Sequence, residues 1–370
     1  MQTTNNKTII ARYEINAECL TPVCVKSGQM VMPWEYAFIK ENGQSVYCRF
    51  NFYDLYQNLG DAKKEELGKK INDKDLLMTR FLINETAKDN PALVKKIAAY
   101  SIVADKGFYN TYQAKINERV QGKECNKLEV AEHIRHSGTA FIPGSSIKGA
   151  LRTILLAREI QNGRQNFVDT LEDKNAPAKK DDFKNLLVFD ADIPDEYMGV
   201  GIFNRAAPAA MEYIQAGAEF NFAVNIKQNA GFLTNIDFSP KNITGAANEF
   251  TKRKVEKFLQ EIEEIKKILG DTKTDIDKKN QISALSEILN TVLAEAQNNS
   301  GGFVLNLGFG GGFWYKSFFG KKLVRQKKRD TKKDDSLTNR AAHLNIDIPY
   351  SWWHNSENVV MGFVKCRFEN

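Results

Sequence analysis

Long apolar runs are missing from this chain. No stretch approaches the ~18 consecutive apolar residues that would cross a bilayer, and Met1–Ile10 holds no apolar core of a secretion signal, so a soluble, cytoplasmic protein is expected. Cysteine is sparse and scattered: Cys19, Cys24, Cys48, Cys125 and Cys366 include no Cys-x-x-Cys pair. That spacing argues against a disulfide framework and against a structural zinc site, and leaves reduced thiols. Histidine is scarcer still, with only His133, His136, His343 and His354. His133, His136 and Cys125 together fall one ligand short of tetrahedral zinc. The nucleotide-loop order Gly-Lys-Ser/Thr is absent, because Lys148 precedes Gly149, and the dinucleotide fingerprint fails where Phe313 stands in place of its last glycine. No acidic residue lies between Leu20 and Pro33.

What is present is a chain of 370 residues, 42% hydrophobic, enough for one large core or two moderate ones. Fifty-two Lys and Arg stand against 46 Asp and Glu, a net charge of +6 that is unevenly spread. Lys321 to Asp335 carries eight cations and three aspartates. Such a tract meets a polyanion or remains a solvated loop.

The most informative stretch is Phe141-Ile142-Pro143-Gly144-Ser145-Ser146-Ile147-Lys148-Gly149-Ala150-Leu151-Arg152. Pro143-Gly144 breaks the chain, Ser145 or Ser146 can cap a helix, and Ile147, Ala150, Leu151, Ile154 and Leu155 recur at helical spacing. Lys148 and Arg152 then lie one turn apart on another face. Two readings are open: a helix start whose amides and serine hydroxyls hold a phosphate, and an ordinary capped core helix with two solvated cations. A second candidate is Gly308-Phe309-Gly310-Gly311-Gly312, where glycines permit close backbone approach to a ligand. Trp314, Tyr315 and neighbouring phenylalanines follow it beside Lys316, an aromatic and cationic mixture suited to single-stranded RNA; core packing of most of these rings is the competing reading.

Taken in order, these segments resemble the RAMP superfamily, the RNA-binding subunits of type III CRISPR effector complexes. Ile142 to Arg152 resembles the family's most recognisable motif. Leu20 to Gly28 is similar to its N-terminal strand and loop, and Leu307 to Phe313 to its glycine-rich loop. Length and arrangement most resemble the type III-A (Csm) subunit that caps the backbone at the crRNA 3′ end. The resemblance implies an α+β protein of two ferredoxin-like (RRM-like) halves. We place these at 1–205, with a helix-rich insertion at about 51–135, and at 206–370, with the glycine-rich loop and the basic tract. It implies RNA contacts from Gly144, Ser145, Ser146, Lys148 and Arg152, from Lys26 and Ser27 in the first loop, and from Gly308, Gly310, Gly311, Gly312, Trp314 and Lys316. The partners implied are crRNA, the repeated backbone subunit, the small helical subunit and, at longer reach, target RNA, with no membrane, cofactor or metal.

A nuclease is the alternative class, processing crRNA without metal through His133 or His136 as base. Many RAMP proteins carry histidine where Cys24 stands here, and their slicing subunits use an aspartate in the loop that lacks one here; both departures weigh against cleavage. Glu35 is the nearest carboxylate. Asp190, Asp192, Asp195 and Glu196 form an acidic cluster that either gathers Mg²⁺ or is a solvated turn around Pro194. Strands are expected at Thr8–Ile15, in a hairpin over Glu35–Phe50 turning at Asn42-Gly43, at Leu128–Ile134, at Leu186–Phe189 with Gly199–Phe203 as its partner, through Ala210–Ile226, and at Val359–Phe368. Helices are expected through Asn51–Ala104, over Ala246–Leu269 and over Gln281–Ala296.

Overall fold

The computed structural model describes residues 8–117, 128–164, 182–203, 209–229, 236–269, 276–298, 301–309 and 360–369. The chain opens with β1 (Thr8–Cys19). Its residues alternate as a half-buried strand should, with Ile15, Ala17 and Cys19 buried and Asn16 exposed between them. β2 (Lys26–Val31) follows, and then the hairpin of β3 (Tyr36–Glu41) and β4 (Gln44–Arg49). Asn42 and Gly43 take φ of 50° and 79°, the left-handed pair that a two-residue turn between twisted strands requires.

Four helices come next, α1 (Phe52–Gln57), α2 (Asp61–Asn72), α3 (Leu76–Asp89) and α4 (Pro91–Ile97). The helical pattern stops earlier than expected, because Tyr100 begins β5 (Tyr100–Ala104) before α5 (Lys106–Asn117) resumes it. Then come β6 (Val130–His133), the short hairpin β7 (Arg135–His136) and β8 (Thr139–Ile142), and α6 (Gly144–Gln161). Beyond it lie β9 (Leu186–Val188), β10 (Ala191–Ile193), β11 (Met198–Phe203), β12 (Ala209–Ile214) and β13 (Glu219–Asn229). The long helices α7 (Pro240–Leu269) and α8 (Ile276–Gln297) precede β14 (Gly302–Asn306) and β15 (Phe363–Phe368). The architecture is α+β.

Three sheets organise these elements. The first runs β14-β15-β1-β13-β9 with every neighbour antiparallel. Helix α7 lies against it, its Thr251 hydroxyl donating to the Val304 carbonyl at 3.1 Å, and buries Phe250, Val255, Phe258 and Ile262. The second runs β2-β6-β12-β11-β5-β4-β3, with β5/β11 and β6/β12 parallel. On it sits an aromatic core of Tyr36, Phe38, Tyr47, Phe108 and Tyr112, and the α1–α4 helices bury Leu55, Leu67, Ile83 and Val94 against Ile39 and Phe50. The third is the small sheet β10-β8-β7.

One pairing differs from expectation. Gly199–Phe203 does not join β9, which pairs with β13; instead β11 lies between β12 and β5. Its glycines explain the placement. A side chain at Gly199 would press on the Tyr213 ring, and one at Gly201 would collide with the Asp105 carboxylate. That carboxylate also accepts from the Ile202 and Phe108 amides at 3.2 and 2.6 Å.

Candidate functional site

Three segments remote in sequence meet at one cleft of about 460 Å³. The loop after β1 supplies Val25 and Lys26. The first turns of α6 supply Ser145, Ser146, Gly149, Ala150, Thr153 and Ile154. The end of β14 supplies Asn306, Gly308 and Phe309, and α7 adds Phe250. The convergence is built by backbone. Phe309 N–H donates to the Cys24 carbonyl at 2.6 Å, and Gly308, at φ 71°, packs so closely that a side chain there would collide with that same carbonyl. Glycine is required on both counts. The Lys26 ammonium then lies over the Phe309 ring, 3.5 Å from its centroid, a cation–π contact. Partial burial pulls the Lys26 pKa below the usual lysine value, and the Cys24 thiol works against the shift. Cys24 itself is fully buried and its pKa is pushed up to about 12, chiefly by burial, so it is a thiol packed under the cleft and not a nucleophile.

The start of α6 differs from the expected serine cap. Pro143 is the N-cap, with no side-chain capping bond of its own, and the helix begins at Gly144. Asp190 Oδ1 accepts from the Gly144 amide at 2.7 Å, and the Pro143 carbonyl takes the Ser146 amide at 2.8 Å. The protein thus places its own carboxylate where the helix dipole favours an anion. Gly144 is buried against the Val188 carbonyl, with no room for a side chain; its role is close packing of α6 on β9. Ser145 is exposed and Ser146 half-buried, and both line the cleft.

Lys148 and Arg152 occupy a different face of α6. Neither lines the cleft, and the Arg152 guanidinium stacks over Phe183, 4.6 Å from the ring centroid. Ser27 also turns away: its hydroxyl donates to Glu132 at 3.4 Å and accepts from the Gln29 amide at 3.0 Å. Gly310, Gly311, Gly312, Trp314, Lys316 and the Lys321–Asp335 tract lie outside the described residues. Phe250 and Asn306 were missed by sequence reasoning.

Of the two candidate general bases, His133 has structural bonds at both ring nitrogens. His133 is fully buried; its Nδ1 accepts from the Val25 amide at 3.2 Å and its Nε2 faces the Phe141 carbonyl at 3.1 Å, so Nε2 carries the proton. Both nitrogens are engaged within the protein. His136 is exposed on β7. Glu35 accepts from the Met32 amide at 2.9 Å and pairs with Arg49 at 3.2 Å. In the acidic cluster, Asp190 holds α6 and Asp195 pairs with Arg135 at 2.8 Å.

These features define an α+β protein with a partly apolar cleft, Lys26 at its rim, assembled from the segment after β1, the first turns of α6, the end of β14 and α7. The chain belongs to the RAMP superfamily, whose model matches residues 16–316. It is 25% identical over 345 residues to a Methanocaldococcus jannaschii protein named CRISPR system Cms protein Csm5, an alignment covering 83% of this chain and 72% of that one. Its fold is shared with a chain in the cryo-EM structure of a Csm–crRNA–target RNA ternary complex of a type III-A CRISPR-Cas system. That match has 14% identity, covers 96% of this chain and 100% of that one, and gives a TM-score of 0.55. A crystal structure of T. onnurineus Csm5 matches at 15% identity over 94% of this chain and 99% of that one, with a TM-score of 0.49. Among the described residues no helix is long and apolar enough to cross a membrane.

Proposed function

We propose that this chain is a non-catalytic crRNA-binding subunit of a cytoplasmic type III-A effector complex, capping the backbone filament at the crRNA 3′ end. The observation that carries the reading is the meeting of all three family-like segments at a single cleft with Lys26 at its rim. The similarity to a protein named Csm5 and the fold shared with a Csm complex chain support it. The strand order β15-β1-β13-β9, with α6 between β1 and β9 and α7 and α8 after β13, supports a ferredoxin-like unit. Its partners would be crRNA, the repeated backbone subunit and the small helical subunit, with target RNA close by. Recognition would rest on phosphate and strand shape, because a guide-holding protein accepts many sequences.

The test is binding to unrelated crRNA sequences across a salt series. Lys26→Ala should weaken all of them alike and flatten the salt dependence by roughly 0.7 log unit per lost phosphate contact. Lys148→Ala with Arg152→Ala, on the other face of α6, asks whether the strand continues there. Unchanged affinity and slope in both variants would refute the reading. Precursor RNA incubated with the protein in EDTA should remain intact.

A further inference from the structure

We propose that His133 is a positioning residue for RNA binding: its buried ring braces the segment that carries Lys26 against the strand that leads into α6, and so sets where the cation of the cleft stands. This rests on the RNA-binding reading and adds the residue that holds Lys26 in place.

Three parts of the chain meet at this residue. Val25, which precedes Lys26 and lines the cleft with it, donates its amide to His133 Nδ1 at 3.2 Å. On the opposite side of the ring, Nε2 donates to the carbonyl of Phe141 at 3.1 Å, just before Gly144 opens α6. The His133 amide donates to Glu212 Oε2 at 3.3 Å, which fixes the residue from β12. A neutral imidazole offers one acceptor and one donor on opposite sides of a rigid ring, as this bridge needs. Burial pushes its pKa down to about 4, so the neutral form holds at neutral pH.

Backbone bonds alone would leave the two walls hinged. The Ile134 amide donates to the Val25 carbonyl at 2.8 Å, and the Ile134 carbonyl accepts from the Phe141 amide at 3.3 Å. Both of these links pass through one residue, about which either wall can turn. The ring adds a second link between the same two segments, and two links in parallel resist the turn that one permits. Beyond Val25 the Lys26 ammonium lies over the Phe309 ring, so a shift of this segment would carry the charge off the rim. A cation already in place need not be ordered when the strand binds, which lowers the cost of binding.

The experiment measures affinity for crRNA of unrelated sequences across a salt series, with the melting temperature of every variant. His133→Gln keeps a donor toward Phe141 and loses the acceptor toward Val25, whereas His133→Asn keeps the acceptor and loses the donor. His133→Gln should bind about tenfold more weakly at low salt, as for one lost hydrogen bond to a charged group, and should flatten the salt dependence by roughly 0.7 log unit. His133→Asn should recover most of that loss. In the His133→Gln background, Lys26→Ala should cost nothing further, because the two act through one contact. A histidine that only supports the core would lower the melting temperature, leave the salt slope alone and give additive losses with Lys26→Ala; that result overturns the proposal. Val25→Pro removes the same hydrogen bond from the donor's side and should reproduce the His133→Gln profile. Loss of the fold in all of these variants would make His133 a core residue and overturn the proposal too. If Lys26→Ala by itself leaves affinity unchanged, His133 has no contact to position and this proposal alone falls. Failure of the wild type to bind crRNA would instead remove the RNA-binding reading, and this one with it.

Discussion

Glu212 sits at zero exposure in the middle of the seven-stranded sheet, a position that a carboxylate tolerates only with partners. Tyr100 Oη donates to it at 2.6 Å, the His133 amide at 3.3 Å, and the Arg135 guanidinium stands 3.5 Å away. Arg135 in turn stacks on Tyr100, 3.6 Å from the ring centroid, and donates to Asp195 and the Gly138 carbonyl at 2.8 Å each. Burial raises the Glu212 pKa and Arg135 opposes the rise. Glu212→Ala would leave Arg135 buried without its inner counter-charge, and should lower unfolding stability by about 3–5 kcal/mol, read as a fall in the urea midpoint. Beside it, burial pushes the His133 pKa down to about 4. The unfolded chain takes up that proton near ~6.5, so His133 contributes its full stability above ~6.5 and loses it as pH falls toward 4, a change of up to about 3 kcal/mol. Glu212, shifted in the opposite sense, contributes most at low pH. The two are separated by comparing pH–stability curves of the wild type and His133→Asn, where the variant should lack the acid-side decline. The spacing of His133 and His136 was visible in the sequence. The burial of His133 was not, since it arises from β6 lying between β2 and β12, which contact it from remote parts of the chain.

At the scale of the element, α6 shows how a legible motif acquires an unforeseen support. Its buried face of Ile147, Leu151, Ile154 and Leu155 follows the spacing of apolar residues. So do the β3–β4 hairpin, from Asn-Gly, and β1, from alternation. The cap was hidden because its donor and acceptor lie 46 residues apart, and a local rule favours the nearer serines. Asp190→Ala should therefore destabilise the fold by about 1 kcal/mol, while Ser145→Ala, which removes no capping bond, should leave the melting temperature unchanged. Gly144→Ala is the sharper test of close packing. Its methyl group would collide with the Val188 carbonyl, a backbone atom that cannot rotate away, and a loss of about 1–3 kcal/mol is expected from the forced shift. A wild-type melting temperature in this variant would mean that α6 is free to move off β9. The cleft was legible in part for the same reason: Lys26, Ser145, Ser146 and Gly308 announce themselves through glycine, serine and charge. Phe250 and Asn306 look like any apolar helix residue and any strand end until α7 and β14 are packed.

For the whole molecule, the order of pairing outweighs the order of sequence. Sequence patterning suggests a division near 205, with each side holding strands and helices of its own. Yet β1 pairs along its length with β13, from Thr8 opposite Asn229 to Glu18 opposite Glu219, and its other edge takes β15. Both partners come from the far side of that division. In the second sheet, β12 lies between β6 and β11, so a strand from after 205 fills the middle of a sheet otherwise drawn from before it. Residues 1–205 expressed alone would leave both edges of β1 open and would leave β6 and β11 facing an empty lane. Residues 206–370 would carry β13, β14 and β15 without the strand that joins them. Unpaired edges and exposed apolar faces of this extent favour aggregation over independent folding. Each fragment alone is thus expected to give no cooperative unfolding transition, while the two co-expressed should reconstitute a soluble complex that melts as one unit. Two fragments that fold separately, each with its own sharp transition, would show that the β1–β13 pairing is an interface between domains and not the spine of one.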